Sequence, residues 1–181
     1  MTGNIAFILP LFVTREIMAF VAAGPFILFT FLMSPYSPIK SMKGKTSEAG
    51  HGLGLMYYAI TWAVLAYAFF DHREIIAMGI LAMSYGDGLA SLVGIRYGKQ
   101  KYRVYRDIKS YVGSLAMFVF TFLFLIVALL FYTQPLTILV ALYLVCMAGV
   151  ATVVEAVTPF GLDNLSVPFV VAIIYWAFLV W

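Results

Sequence analysis

Five stretches of this chain carry no charged residue, over 17–33, 53–70, 111–132, 136–154 and 165–181, and a sixth, 75–95, carries only Asp87. A helix that crosses a bilayer needs about 20 apolar residues, within a range of roughly 17–25. The chain is 64% hydrophobic and 10% charged, whereas soluble domains are about 25% charged. It therefore reads as an all-α integral membrane protein, a single transmembrane domain over 1–181 built as a bundle of about six transmembrane helices, the last of them marginal. The opening run Ile5–Val13 is too short to cross and is limited by Pro10, Arg15 and Glu16, so a short N-terminal half-helix or interfacial segment is expected there. Met1–Asn4 bring no side-chain positive charge, so no removable signal peptide is expected. Cys146 is the only cysteine, which rules out a disulfide within the chain. His51 and His72 read as interfacial polar residues rather than ligands.

Threading the spans in order puts the connections 34–52, 96–110 and 155–164 on one side of the membrane. That side holds Lys40, Lys43 and Lys45, and then Arg96, Lys99, Lys101, Arg103, Arg106 and Lys109, while the other holds Arg73 and Arg15. By the positive-inside rule the richer side is cytoplasmic. No nucleic-acid partner is expected. The location implied is the cell membrane or an endomembrane, with the polar elements facing the cytoplasm.

Three polar constellations fall on that face. The first is Gly86-Asp87-Gly88, in which a carboxylate sits where charge is costly and so marks function. Asp87, Ala90, Ser91, Gly94 and Gly98 form one small-residue stripe at helical spacing. Such a stripe is also what close helix packing uses. The second is Lys109-Ser110 with Gly113-Ser114 at the start of an apolar span, where free N–H groups and the helix dipole favour an anion. N-capping by Ser110 is the plainer reading of that serine. Lys101, Arg103 and Arg106 read equally well as anchors to anionic lipid. The third is Glu155, on a face with Ala148, Ala151 and Thr152, followed by Pro159, Gly161 and Asp163-Asn164. Hard cations such as Mg²⁺ take carboxylate oxygens and complete their shell with water and phosphate, and Asp87, Asp163 and Glu155 are the oxygens available. Neither a P-loop nor the protein-kinase signature set occurs, so nucleotide chemistry of those two kinds is excluded.

Taken together and in order, these stretches resemble the membrane family of CTP-dependent lipid-alcohol kinases, which includes dolichol kinase, phytol kinase and the CTP-dependent diacylglycerol kinase. A more distant likeness runs to phosphatidate cytidylyltransferases. The matching residues are Gly86-Asp87-Gly88 with Ala90, Gly94 and Gly98, then Lys109-Ser110 with Gly113-Ser114, then Glu155, Pro159, Asp163-Asn164-Leu165 and Val167-Pro168. An Arg-Lys-x-x-His element near the N-terminus, common in the family, is absent, and so is the cytidylyltransferase signature. The resemblance implies transfer of the CTP γ-phosphate to the hydroxyl of a membrane lipid alcohol: a polyprenol, dolichol or other isoprenoid alcohol, or diacylglycerol. In that scheme Mg²⁺ lies between Asp87 and Asp163 with Glu155 in support. Lys109, Ser110, Gly113 and Ser114 hold the phosphates with Lys99 closing from the loop, and Gly86, Gly88 and Asn164 complete the nucleotide site. Asp87 is the first choice for the group that orients the hydroxyl, and the lipid tail is expected where Gly94 and Gly98 leave room. The alternatives are CDP-lipid synthesis and a non-enzymatic helix bundle. A homodimer is one way a short chain could complete its bundle.

Overall fold

The computed structural model describes residues 2–34, 36, 38, 53–105 and 107–180. Lys40, Lys43, Lys45, His51 and Arg106 lie outside the described residues. A π-helical turn, Ile17–Ala22, leads into α1 (Ala23–Leu32), and α2 spans Gly54–Ala68. Helix α3 (Arg73–Leu81) runs through a second π-helical turn, Ala82–Asp87, into α4 (Gly88–Tyr97). Then come a hairpin, β1 (Lys101–Val104) and β2 (Asp107–Ser110), and three helices: α5 (Tyr111–Phe131), α6 (Ile138–Val157) and α7 (Asp163–Val180).

Among the described residues three helices are long and apolar enough to cross a membrane: Arg73–Tyr97, Tyr111–Phe131 and Ile138–Val157. Ile17–Leu32, Gly54–Ala68 and Asp163–Phe178 are shorter apolar helices. The helical, membrane-type bundle read from the sequence is the architecture observed. The opening segment is a pair of 3₁₀ turns, Thr2–Phe7 and Leu9–Leu11, lying against α3. Arg73 donates to the Pro10 and Phe12 carbonyls at 3.0 and 3.1 Å, and Tyr132 donates to the Ala6 carbonyl at 2.6 Å.

The rod Arg73–Tyr97 is the axis of the bundle. Of its most apolar window 61% is buried, against 28% for each of the other two long helices. Ile75 to Leu81 are closed off on every side, as expected of a helix that is apolar all round. Helices α5 and α7 flank it, α2 packs on α7, and α6 packs on both α5 and α7. Close approach relies on missing side chains. A Cβ at Gly79 would come within 2.8 Å of the Pro168 carbonyl oxygen, and one at Gly94 within 3.3 Å of the Gly113 Cα.

Pro168 sits inside α7, where its ring has no N–H to offer the carbonyl four residues earlier. That carbonyl belongs to Asn164, and the buried Thr61 hydroxyl of α2 donates to it at 3.0 Å. A side chain from a neighbouring helix thus replaces the missing backbone donor, which is how membrane helices tolerate proline. Thr61→Val should leave the Asn164 carbonyl without this donor and cost on the order of 1 kcal/mol. A lowered midpoint in detergent thermal unfolding is the expected result, against a near-unchanged Thr152→Val control, whose hydroxyl donates to the Ala148 carbonyl of its own helix.

Candidate active site

The π-helical turn Ala82–Asp87 ends on the acid, and π-bulges of this kind recur at functional sites. On one side of it Gly86 packs against the Thr121 hydroxyl and Met117 of α5. On the other, Asp87 and Gly88 line a cavity of about 960 Å³ at the hairpin end of the bundle. Two further acids enter the same cavity from elements far away in sequence. Glu155 projects from the last turn of α6, on the same inward face as the buried Ala148 and Ala151, and Asp163 is the first residue of α7.

One carboxylate oxygen from each of Asp87, Glu155 and Asp163 lies within 4.8 Å of the others. Ligands on one Mg²⁺ stand about 2.1 Å from it, so opposite oxygens are roughly 4.2 Å apart. Three ligands cannot all be opposite one another, and neighbouring ones are roughly 3 Å apart, so the three acids need to close by about one to two ångströms to share an ion, which rotation of their side chains supplies. The donor set is all oxygen and anionic, as a hard divalent cation requires, so the residues present fit one.

Lys109 stands among these acids. It reaches in from β2, with Nζ 2.7 Å from Glu155 Oε1 and 3.3 Å from Asp163 Oδ2, and it also donates to the Glu155 carbonyl. That carbonyl lacks the usual donor four positions on, which is Pro159, and from the backbone accepts the Thr158 N–H at 3.3 Å, a donor shared with Val154. Burial pulls the Lys109 ammonium down, but Glu155 and Asp163 outweigh it, so its pKa stands above the ordinary 10.5. Its stabilising contribution is therefore complete below that value and is lost only as pH rises through the higher folded-state value. Three carboxylates against one ammonium leave two formal negative charges, the amount a divalent cation neutralises.

The hairpin is fastened at both edges. Its register pairs Tyr102 with Lys109 and Val104 with Asp107, and these four are the half-buried face. Tyr102 Oη and Ser114 Oγ lie 2.7 Å apart, tying β1 to the start of α5. The Phe160 N–H donates to Asp107 Oδ2 at 2.6 Å, tying β2 to the loop before α7. Phe160 and Gly161 both take the left-handed conformation in that loop, at φ 61° and 73°. The glycine does so at no steric cost, and its Cα faces Gly54 of α2.

Of the residues singled out from sequence, Asp87, Gly88, Lys109, Ser110, Gly113, Ser114, Glu155, Asp163 and Asn164 all line this one cavity. Gly86 does not, being closed against α5, and Lys99 is exposed and outside the lining. Ser110 caps α5, accepting from the Gly113 N–H at 3.1 Å, and the Tyr111 N–H is bonded to the Gln100 carbonyl at 3.3 Å. The first turn of α5 is thus largely satisfied from within, and Ser110 takes its plainer role. Gly94 lines the cavity as well and Gly98 does not, but a Cβ at these positions would lie 2.9 and 2.5 Å from Ser110 Oγ, so the side-chain direction of both glycines is closed by the start of α5. Lys101, which read equally well as a lipid anchor, also lines the cavity, and so does Asp107, which escaped the sequence reading. The signal for them was the alternation Lys101-Tyr102-Arg103-Val104 and Asp107-Ile108-Lys109, a hairpin pattern inside what read as a basic loop.

A phytol kinase from Synechocystis sp. is 36% identical over 157 residues, covering 86% of this chain and 66% of its own length. A probable chloroplastic phytol kinase from Triticum aestivum is 34% identical over 163 residues, 82% of this chain and 54% of its own. Phytol kinase 1 of Arabidopsis thaliana, also chloroplastic, is 36% identical over 123 residues, 64% and 40% of the two lengths. The chain belongs to the lipid-alcohol kinase family that includes the phytol kinases. It spans about two thirds of the Synechocystis relative and roughly half of the plant proteins. No family model and no solved structure matches it.

The acid cluster and Lys109 are the most charged assembly in the cavity, and their charge balance is testable without turnover. Lys109→Met leaves buried acids uncompensated, and breaking a buried pair in this way costs about 3–5 kcal/mol. Thermal unfolding in detergent should show a large drop for Lys109→Met, partly restored by millimolar Mg²⁺. Lys101→Met, at an exposed residue of the cavity wall outside the ion pairs that Lys109 makes, should unfold close to wild type.

Proposed function

We propose that this chain carries the catalytic site of a Mg²⁺- and CTP-dependent kinase that phosphorylates an isoprenoid lipid alcohol at the cytoplasmic face of a membrane. The observation that carries this reading is the convergence of Asp87, Glu155 and Asp163 within 4.8 Å of one another, with Lys109 among them. They meet in a cavity that also has an apolar wall. Phosphoryl transfer asks a protein for positioning and charge neutralisation more than for covalent chemistry, and these side chains supply both.

Asp87, Asp163 and Glu155 would hold the cation, whose contribution when bound is to neutralise charge on the phosphate chain. Lys109 and Lys101 face the same space and would contact the phosphate oxygens, with the Ser114 hydroxyl and Asn164 amide as further donors. In the transfer step the lipid hydroxyl oxygen bonds to the γ-phosphorus, the bond from that phosphorus to the β–γ bridging oxygen breaks, and CDP leaves. The hydroxyl proton passes to a carboxylate, for which Asp87 at the inner edge of the cluster is our choice, and from there to solvent.

CTP as donor is supported by the resemblance of the ordered motifs to the CTP-dependent family. The names of the relatives make phytol the first alcohol to test, ahead of dolichol, other polyprenols and diacylglycerol. The facing follows from charge. Arg96, Lys99, Lys101 and Arg103 lie at the hairpin end, and the opposite end of the axial rod, about 35 Å away along a 25-residue helix, has Arg15 and Arg73.

Purified protein given γ-labelled CTP, Mg²⁺ and phytol should form labelled phytyl phosphate and CDP. Release of pyrophosphate with a CDP-lipid would replace kinase by cytidylyl-transfer chemistry. Asp87→Asn should lower kcat by about 10²–10⁴-fold while the protein still folds. Near-normal turnover in that variant would remove Asp87 from the chemistry.

A further inference from the structure

With Gly98 outside the cavity and the Cβ direction of Gly94 closed by Ser110, the tail of a lipid alcohol needs a deeper place, and the cavity has one. Its charged end, at Asp87, Lys109, Glu155 and Asp163, continues into a wall made by Phe26 of α1, Leu55 and Tyr58 of α2, and Met83 of the π-helical turn. Met83 is one turn before Asp87, and Tyr58 one turn after Gly54, which touches Asn164. One helical turn is about 5–6 Å, so the apolar wall lies that much deeper in the bundle than the acids. Phe26 and Tyr58 meet edge to face, ring centres 6.0 Å apart at 85°, an arrangement that fixes both rings.

Among the described residues the rim of this cavity is apolar as well. Leu55 is 45% exposed and Ile95 is 86% exposed, and both line it from opposite helices, α2 and α4. A charged ligand alone gives no reason for two aliphatic side chains at the mouth. A chain arriving sideways from hydrocarbon does. The volume of about 960 Å³ is at the upper end of the roughly 300–1,000 Å³ usual for small-molecule sites. That suits a triphosphate together with a short isoprenoid segment, and is too small for a whole long polyprenol.

We propose that Phe26, Leu55, Tyr58 and Met83 form the berth for the isoprenoid chain, which enters between α2 and α4 past Leu55 and Ile95 and presents its hydroxyl to Asp87. This rests on the kinase reading for the identity of the ligand but makes a separate claim about where the ligand lies. Tail selectivity then resides in α1 and α2, not in the motifs that hold the phosphates. Substitutions in the berth should change which alcohol is used.

The test is photolabelling of the purified full chain with a diazirine-bearing C20 isoprenoid alcohol, with adducts mapped by mass spectrometry. Turnover on C20 and C5 alcohols is measured in parallel. Adducts are expected on peptides bearing Phe26, Leu55–Tyr58 and Met83, competed by unlabelled phytol. Leu55→Trp, placed at the partly exposed rim so that folding is retained, should cut that labelling at least fivefold. It should also lower the C20-to-C5 ratio of kcat/KM at least tenfold, and Phe26→Ala should shift the ratio toward bulkier chains. Adducts on the outer faces of α5 and α6, or labelling indifferent to Leu55→Trp, would overturn the berth. Labelling in the berth without phosphate transfer to any alcohol removes the kinase reading and leaves the binding site standing. Transfer with labelling elsewhere does the reverse.

Discussion

The Lys109 ammonium holds this architecture together at its functional end. It is carried on a hairpin strand, yet its contacts are to the last turn of α6 and the first residue of α7. A buried ammonium with one carboxylate partner gains little over an apolar replacement, because desolvation offsets the attraction. With two carboxylates and a carbonyl the balance turns, and three otherwise independent elements become one rigid wall. The fastening of Tyr102 to Ser114 and of Asp107 to the Phe160 N–H then sets the hairpin across the cavity. The acids outnumber the lysine, and their excess negative charge is what a divalent cation would offset.

Two prolines give the cavity its edges by a common device. Pro159 leaves the Glu155 carbonyl with only a shared Thr158 N–H at 3.3 Å, and Pro168 leaves the Asn164 carbonyl without its donor four positions on. In each case the freed oxygen is taken by a side chain from elsewhere, Lys109 for one and Thr61 for the other. The cost of a proline just past the end of α6 and of another inside α7 is thereby turned into cross-links, one between β2 and α6 and one between α2 and α7. The intervening turn, with Phe160 and Gly161 in the left-handed region, is short enough to put Asp163 beside Glu155.

Much of this was legible in the residues. An isolated acid in an apolar run, a glutamate on a small-residue face and an Asp-Asn pair after a proline each violate what lipid or a packed core would choose, and violations of that kind mark sites. Membership in the lipid-alcohol kinase family likewise followed from the order of three motifs. Period-two alternation in the basic connection was legible too but was masked by its charges, so the hairpin and Asp107 went unread and Lys101 was left between lipid anchor and ligand contact. Gly86, Gly94 and Gly98 illustrate the opposite difficulty. A glycine announces close approach, but a one-dimensional pattern does not say what approaches, and here it is α5 rather than a ligand.

Sequence alone determined that the chain is a helical membrane protein, which end of it is polar, and which acids and lysine are out of place enough to matter, because transfer free energy and spacing are local properties. It also placed Ser110 at a helix start, where capping decided its role. Only the tertiary structure decided that Asp87, Glu155 and Asp163 share one cavity, that Lys109 pairs with two of them, and that the apolar extension runs toward α1 and α2. Those outcomes depend on distances between residues up to 76 positions apart in the chain. Such distances are set by how helices without mutual sequence cues pack, through glycine contacts and proline-freed carbonyls that no single segment encodes.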